Sequence, residues 1–321
     1  MKTIRTLLCA TPLAGSNYDR VRAALPDTEL LLAEYMKAAP EDVRRADVIF
    51  GNVKPDYLAA CTHLDWVQLS SAGADEYVRA IPAGTALTNA TGAYGPAIAE
   101  HMLGMLLMLQ KKFHIYRDFQ NARIWKRCGM VTGIDGCTCL VIGLGDLGGC
   151  FAQKMKALGA YTIGVRRIGT GKPAFVDELY QGDAIPALLP RADVVALCLP
   201  NTPDTRHIAD AAFFAAMKPG AIFLNTGRGT AVDQPALIAA LECGQLAGAG
   251  LDVADPEPLP PDHPLWRARN CFITPHSSGG WTLASTVDRA VDIFLDNLPR
   301  YLAGEPLRNV VDPETGYRRT V

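Results

Sequence analysis

The sequence predicts an α/β protein of two parallel-sheet domains, with one domain inserted into the other. Three observations predict it. Short apolar runs alternate with helical patterns along most of the 321 residues, as parallel β-α-β units require. A glycine-rich turn stands between one such run and a helical pattern near mid-chain. A last helical pattern, residues 283–302, has no strand after it and must pack on something earlier.

In the first ninety residues, strands are expected at 6–10, 30–33, 48–50 and 67–69. These runs are short and apolar throughout, as strands buried on both faces are. Helices or turns are expected between them at 17–24, 40–45 and 55–60. A long helical pattern, 98–113, carries Glu100 and His101 on otherwise apolar turns. Residues 116–128 are polar around a single Trp125 and read as an arm or loop. Further strands are expected at 139–142, 160–165, 194–199, 221–225, 248–253 and 271–274. The domain expectation is 1–94 plus 284–321 for one domain and 95–283 for the inserted one.

The turn at mid-chain is Gly143-Leu144-Gly145-Asp146-Leu147-Gly148. It follows the 139–142 strand, and Phe151, Met155 and Leu158 follow it at helical spacing. Strand, glycine turn, helix, strand is the context in which G-x-G-x-x-G binds a dinucleotide. Gly143 permits the tight turn, Gly145 lets backbone approach a pyrophosphate, and Gly148 lets helix and strand pack. The N–H groups at the helix start face the anion. Asp146 is expected to cap that helix and point away from the phosphates. Both domains are therefore expected to be Rossmann-like or flavodoxin-like, with the nucleotide domain inserted into a discontinuous substrate domain.

The second strand ends in Arg166-Arg167, with no acid until Asp177. A guanidinium cannot accept a hydrogen bond from a ribose hydroxyl, but it pairs well with a 2′-phosphate. The expected cofactor is NADP(H), with NAD(H) the lesser alternative.

A net charge of −2 gives no surface for nucleic acid or an anionic membrane. The apolar N-terminal stretch is broken by Pro12 and reads as a first strand, not a secretion signal. The apolar 102–109 stretch is too short to span a bilayer. Nine scattered cysteines with no C-x-x-C pair point to reduced thiols in a cytoplasmic protein, with no metal expected.

Three segments at strand ends carry chemistry: Asn225 through Gly229 with Arg228, Asp252 through Pro258 with Glu257, and Thr274 through Gly279 with His276. Singly, each has a plain structural reading as a cap, a solvated loop acid or a loop histidine. Together, behind a nucleotide fingerprint, they suit reduction of a carbonyl beside a carboxylate. The guanidinium grips the carboxylate through its fork of donors. The imidazolium delivers a proton, and a nearby carboxylate favours its charged form.

The chain here resembles the D-isomer-specific 2-hydroxyacid dehydrogenases. The resemblance rests on LDWVQLSSAGAD at 64–75, GPAIAE at 95–100, the glycine turn, NTGRGTAVDQPALIAAL at 225–241, and the segments 250–258 and 274–279. It implies an Arg–Glu–His catalytic set at Arg228, Glu257 and His276. It implies that the substrate carboxylate meets backbone N–H groups at Ser71, Ala72 and Gly73, as a strand-ending glycine turn also allows. Cofactor contacts are implied at Gly143, Gly145, Asp146, Leu147, Gly148, Arg166, Arg167, Pro200, Thr226 and Asp252. Of these, Asp252 would accept from the nicotinamide carboxamide or serve as a buried structural acid. Trp281 would wall the substrate pocket or pack against the closing tail. Asn52, Val53 and Tyr94 are further pocket candidates.

Arg166 stands where many members carry an acid, as in the NADP-preferring glyoxylate/hydroxypyruvate reductases. Glu257 argues against formate dehydrogenases, which pair the histidine with glutamine. The implied assembly is a homodimer joined through the helix and arm at 100–125. The implied reaction is reduction of a 2-oxoacid to the D-2-hydroxyacid. The competing reading on the same fold is a nucleotide-sensing corepressor with little turnover.

Overall fold

The computed structural model describes residues 2–167, 171–280 and 283–312. The chain divides into two compact units, 1–94 with 281–321 and 95–280.

The first unit begins with β1 (Thr6–Ala10), α1 (Ser16–Ala24), β2 (Glu29–Ala33), α2 (Pro40–Arg45), β3 (Val48–Gly51), β4 (Trp66–Gln68) and β5 (Ala86–Thr88). All five strands run parallel in the order β2-β1-β3-β4-β5. That is the flavodoxin-like order, which reverses direction between the first and third strands. Every residue of β1 and β3 is buried, whereas edge strand β2 is half open. The helix α2 is set locally: Pro40 opens it, Glu41 and Asp42 face its positive end, and Arg44 and Arg45 close it.

The second unit runs through α3 (Gly95–Gln110), α4 (Phe113–Asn121), β6 (Thr138–Ile142), α5 (Asp146–Ala157), β7 (Tyr161–Val165), β8 (Glu178–Tyr180) and α6 (Ile185–Leu188). It continues with β9 (Val194–Leu197), α7 (Ala211–Ala216), β10 (Ala221–Asn225), α8 (Gln234–Glu242), β11 (Leu246–Leu251) and β12 (Cys271–Ile273). Its seven strands are parallel in the order β12-β11-β10-β9-β6-β7-β8. The order reverses between β6 and β9, the switch point at which Rossmann sheets take their ligands. The chain then returns to the first unit as α9 (Ala284–Ala303).

That final helix explains the unpartnered pattern at the end of the sequence. Phe294 stacks on Phe50 at 4.5 Å and on Trp66 at 5.4 Å, and Tyr301 stacks on Trp66 at 5.2 Å. Each such pair adds about 0.5–1.5 kcal/mol beyond area burial. The helix thus covers one face of the first sheet.

Two expectations are corrected. The polar segment after residue 112 is not simply an arm. It forms α4 first, after a left-handed step at Lys112 (φ 59°). Its apolar side chains Phe113, Ile115, Tyr116 and Phe119 recur at helical spacing, yet no residue of α4 is buried. Strands β5 and β8 lie outside the runs expected as strands, and each is a strand through its pairing with a neighbour, β4 and β7.

Candidate active site

The glycine turn leaves β6 and opens α5. Gly143 has φ +99°, a left-handed backbone that favours glycine. A Cβ on Gly148 would stand 2.1 Å from the Gly143 carbonyl oxygen, so helix and turn meet there only without a side chain. Nothing in the protein lies within 4 Å of the direction a Gly145 side chain would take, which leaves backbone open to a ligand. Leu147 is the second residue of α5. Asp146 differs from its expected role. Gly145 occupies the cap position with no side-chain bond, and the Asp146 carboxylate instead accepts the Gly95 N–H at 3.1 Å, at the start of α3. It caps a neighbouring helix because Gly95 has no side chain to keep the two apart.

At the end of β7, Arg166 and Arg167 line a cleft of about 470 Å³ with Tyr180, Gln181 and Asp183. The Arg166 guanidinium donates to the Gly171 carbonyl, while its buried Nε has no hydrogen-bond partner among the described residues. Asp177 turns the other way. It accepts the Thr162 N–H at 2.8 Å and pairs with Lys156 at 2.6 Å, so it offers nothing to a ribose. Sequence reading missed Tyr180, Gln181 and Asp183, because they lie on and just beyond the short strand β8.

The Arg–Glu–His residues leave the ends of neighbouring strands. After β10, buried Asn225 shapes the turn: its Oδ1 accepts the Gly227 N–H and its Nδ2 donates to the Arg228 carbonyl, both at 3.0 Å. After β11, Gln234 holds the Asp255 backbone and so fixes the loop that carries Glu257. A Cβ on Gly229 would meet the Ala254 carbonyl oxygen at 1.9 Å, so the Arg228 and Glu257 loops pass each other at glycine. After β12, His276 Nδ1 donates to Glu257 Oε2 at 2.7 Å, and Glu257 Oε1 accepts the Ala254 N–H at 3.0 Å.

This pairing sets the charge states. The hydrogen bond donated to Glu257 holds the His276 imidazolium above the usual histidine range, against the opposing effect of burial. Burial alone would raise Glu257, but its bonds from His276 and the Ala254 N–H outweigh that and hold its carboxyl below the usual range. The Arg228 charge acts on both groups. The imidazole is 51% exposed, and with Nδ1 committed to Glu257, Nε2 is the nitrogen left for proton transfer.

Asp252 and Thr226 have scaffold contacts. Asp252 is 1% exposed and accepts from the Thr274 hydroxyl, the Ser277 and Ser278 N–H groups and the Ser278 hydroxyl. These bonds fix the turn around His276, whose φ of +49° is a left-handed value costing about 1–2 kcal/mol for a residue with a Cβ. The carboxamide contact implied at Asp252 therefore meets a carboxylate already engaged in holding the His276 turn. Thr226 is 4% exposed with its hydroxyl 3.2 Å from the Met102 sulfur. Pro200 follows β9, and its carbonyl accepts the Thr205 hydroxyl at 2.7 Å.

The remaining candidates belong to the first unit. Buried Asn52, just past β3, accepts the Ser70 N–H at 3.1 Å and the Ser71 N–H at 3.2 Å, and donates to the Ser71 hydroxyl at 3.0 Å. The Tyr94 hydroxyl donates to the Ser70 carbonyl. The Ser71 N–H is thus taken, which leaves Ala72 and Gly73 as the amides able to meet an anion. Val53 is buried, and its carbonyl accepts the Tyr77 hydroxyl at 2.7 Å. Trp281 lies outside the described residues.

Residues 103–278 match the family model for the D-isomer specific 2-hydroxyacid dehydrogenase NAD binding domain. The chain belongs to the D-isomer specific 2-hydroxyacid dehydrogenase family. A solved structure of a family protein from Aeromonas salmonicida subsp. salmonicida A449 is 36% identical, with a TM-score of 0.84 over 96% of this chain and 99% of that one. The NADPH-dependent glyoxylate/hydroxypyruvate reductase of Sinorhizobium meliloti, solved with NADP and sulfate, is 26% identical, with a TM-score of 0.82 over 97% and 99%. D-3-phosphoglycerate dehydrogenase of Mycobacterium tuberculosis (strain ATCC 25618 / H37Rv) is 32% identical over 93% of this dehydrogenase, which spans 54% of that relative's length. This chain thus has the two-domain Rossmann-type fold of the NAD(P)-dependent 2-hydroxyacid dehydrogenases.

Proposed function

We propose that this dehydrogenase is an NADPH-preferring reductase of small 2-oxoacids, forming the D-2-hydroxyacid. The observation that carries the reading is the 2.7 Å His276–Glu257 pair with the Arg228 charge acting on both. Arg228 grips the substrate carboxylate and polarises the adjacent carbonyl through its fork of donors. A dinucleotide held at the glycine turn 143–148 would be the hydride source for the carbonyl carbon, and would itself be oxidised. His276 Nε2 gives its proton to the carbonyl oxygen, so carbonyl becomes alcohol and imidazolium becomes imidazole. Glu257 keeps the imidazole protonated beforehand and oriented throughout. In the first unit, the Ala72 and Gly73 amides are the candidate backbone donors to a substrate carboxylate.

The turn from Gly143 to Gly148 suits the pyrophosphate, with backbone at Asp146 and Leu147 facing it and Pro200 and Thr226 bordering the nicotinamide end. The Arg166 and Arg167 guanidinium groups lining the cleft at the end of β7 suit a 2′-phosphate. The NADP named with the Sinorhizobium meliloti reductase agrees with that preference. Residues 95–280 serve as the nucleotide domain and the other unit as the substrate domain. Exposed Trp125, Met130 and Phe113 support a homodimer joined along this arm. Nine free cysteines suit a cytoplasmic setting.

The test is a set of initial rates with NADPH and NADH on glyoxylate, hydroxypyruvate, pyruvate and phenylpyruvate. Turnover is expected with at least one, faster with NADPH, and Arg166→Asp should move the preference toward NADH. Tight NADPH binding without turnover on any of the four would overturn the reading in favour of a nucleotide sensor. Unchanged preference in Arg166→Asp would remove Arg166 from the 2′-phosphate.

A further inference from the structure

His101 is a titratable side chain that the proposed chemistry does not use. It lies in α3, and its Nε2 is 2.9 Å from the Thr274 hydroxyl. That hydroxyl donates to Asp252 Oδ1 at 2.6 Å. A hydroxyl has one proton to give, so the His101 nitrogen must be the donor to Thr274. The bonds therefore run in one direction, from the His101 N–H to the Thr274 O–H to the Asp252 carboxylate. His101 Nε2 is itself 3.8 Å from Asp252 Oδ1.

The far end of this chain is the acid that shapes the His276 turn. Asp252 binds the residue two before His276 through a hydroxyl, and the two residues after it through their N–H groups. Its backbone carbonyl accepts the His276 N–H at 2.8 Å. A left-handed histidine persists only where its surroundings over-determine it. Occupying one lone pair of Thr274 with a donor points the hydroxyl proton at Asp252. Bonds in series also strengthen one another in a buried setting.

We infer that His101 is a positioning residue for the proton donor, acting through Thr274 and Asp252 to hold His276 at its working angle. The inference rests on the dehydrogenase reading of the site, with His276 as the acid. His101→Leu removes the donor. His101→Gln keeps an N–H near the place of Nε2, and Thr274→Val removes the link between them.

The experiment compares kcat, the KM for 2-oxoacid and for NADPH, and thermal melting in these variants. His101→Leu and Thr274→Val should each lower kcat by about tenfold with little change in either KM. His101→Gln should recover most of that loss. The double variant should be no slower than either single one, because both break the same chain. Equal losses in His101→Leu and His101→Gln would overturn the inference, since ring packing and not the donor would then matter. Should His101→Leu fail to fold, His101→Gln set against Thr274→Val decides: parallel losses overturn it and divergence supports it. His276→Ala is measured alongside. If it kept full turnover, the reading of the site would fall. If it lost turnover while His101→Leu kept it, the positioning inference alone would fall.

Discussion

Glu257 decides the pH behaviour of His276, and the sign can be worked out. The hydrogen bond that His276 donates to Glu257 raises the histidine, so the acid form needed for reduction persists above the usual histidine range. Reduction should fall as pH rises through the raised pKa, which lies above the ordinary histidine value. Glu257→Gln removes the charge, so the falling limb of the kcat profile should move to lower pH. At neutral pH the rate should drop by up to about 10²-fold, the lower range of a general acid's contribution. A pH-rate profile of both proteins checks this, and an unmoved limb would mean that Glu257 does not tune His276. The same pair contributes to stability in a bounded window. The raised histidine contributes fully below its usual pKa, and that contribution is lost as pH rises through the raised value. The depressed Glu257 contributes above the usual carboxylate range and loses its contribution as pH falls through its lowered value.

Between elements, the ends of β3 and β4 are joined by one amide side chain. Asn52 takes the Ser70 N–H, the Ser70 hydroxyl and the Ser71 N–H, and gives its own N–H to the Ser71 hydroxyl. The loop that offers the Ala72 and Gly73 amides therefore has its shape fixed by a residue on a neighbouring strand. Asn52→Leu would leave buried donors unpaired, at about 1–3 kcal/mol. The expected result is a lower melting temperature and a KM for 2-oxoacid raised about tenfold, with NADPH affinity unchanged. Steady-state kinetics and a cofactor titration check it. An unchanged KM would show that this loop does not hold the substrate.

For the whole molecule, the segment beyond α3 raises the question of assembly. Trp125 and Met130 are 104% and 90% exposed. In the proposed homodimer they are covered by a second copy. Trp125→Glu combined with Met130→Glu should shift sedimentation from twice the chain mass to the monomer at micromolar concentration. A wild-type protein that sediments as a monomer would reject the arm as an interface.

The sequence by itself determined the features that local physics writes into a few adjacent residues. The glycine turn between strand and helix, the runs 6–10, 40–45 and 221–225, and the three loop segments bearing Arg228, Glu257 and His276 were legible for that reason. Apolar strands, proline starts and tight turns need no distant partner to be recognised. Tertiary structure decided the rest. β5 and β8 exist as strands because a neighbour pairs with them, and α4 is a helix without a buried stripe. Asp146 caps a helix 51 residues away along the chain, and Asp252 holds a turn 25 residues away. A side chain with several possible acceptors reveals its choice only when the fold fixes which one is within 3 Å.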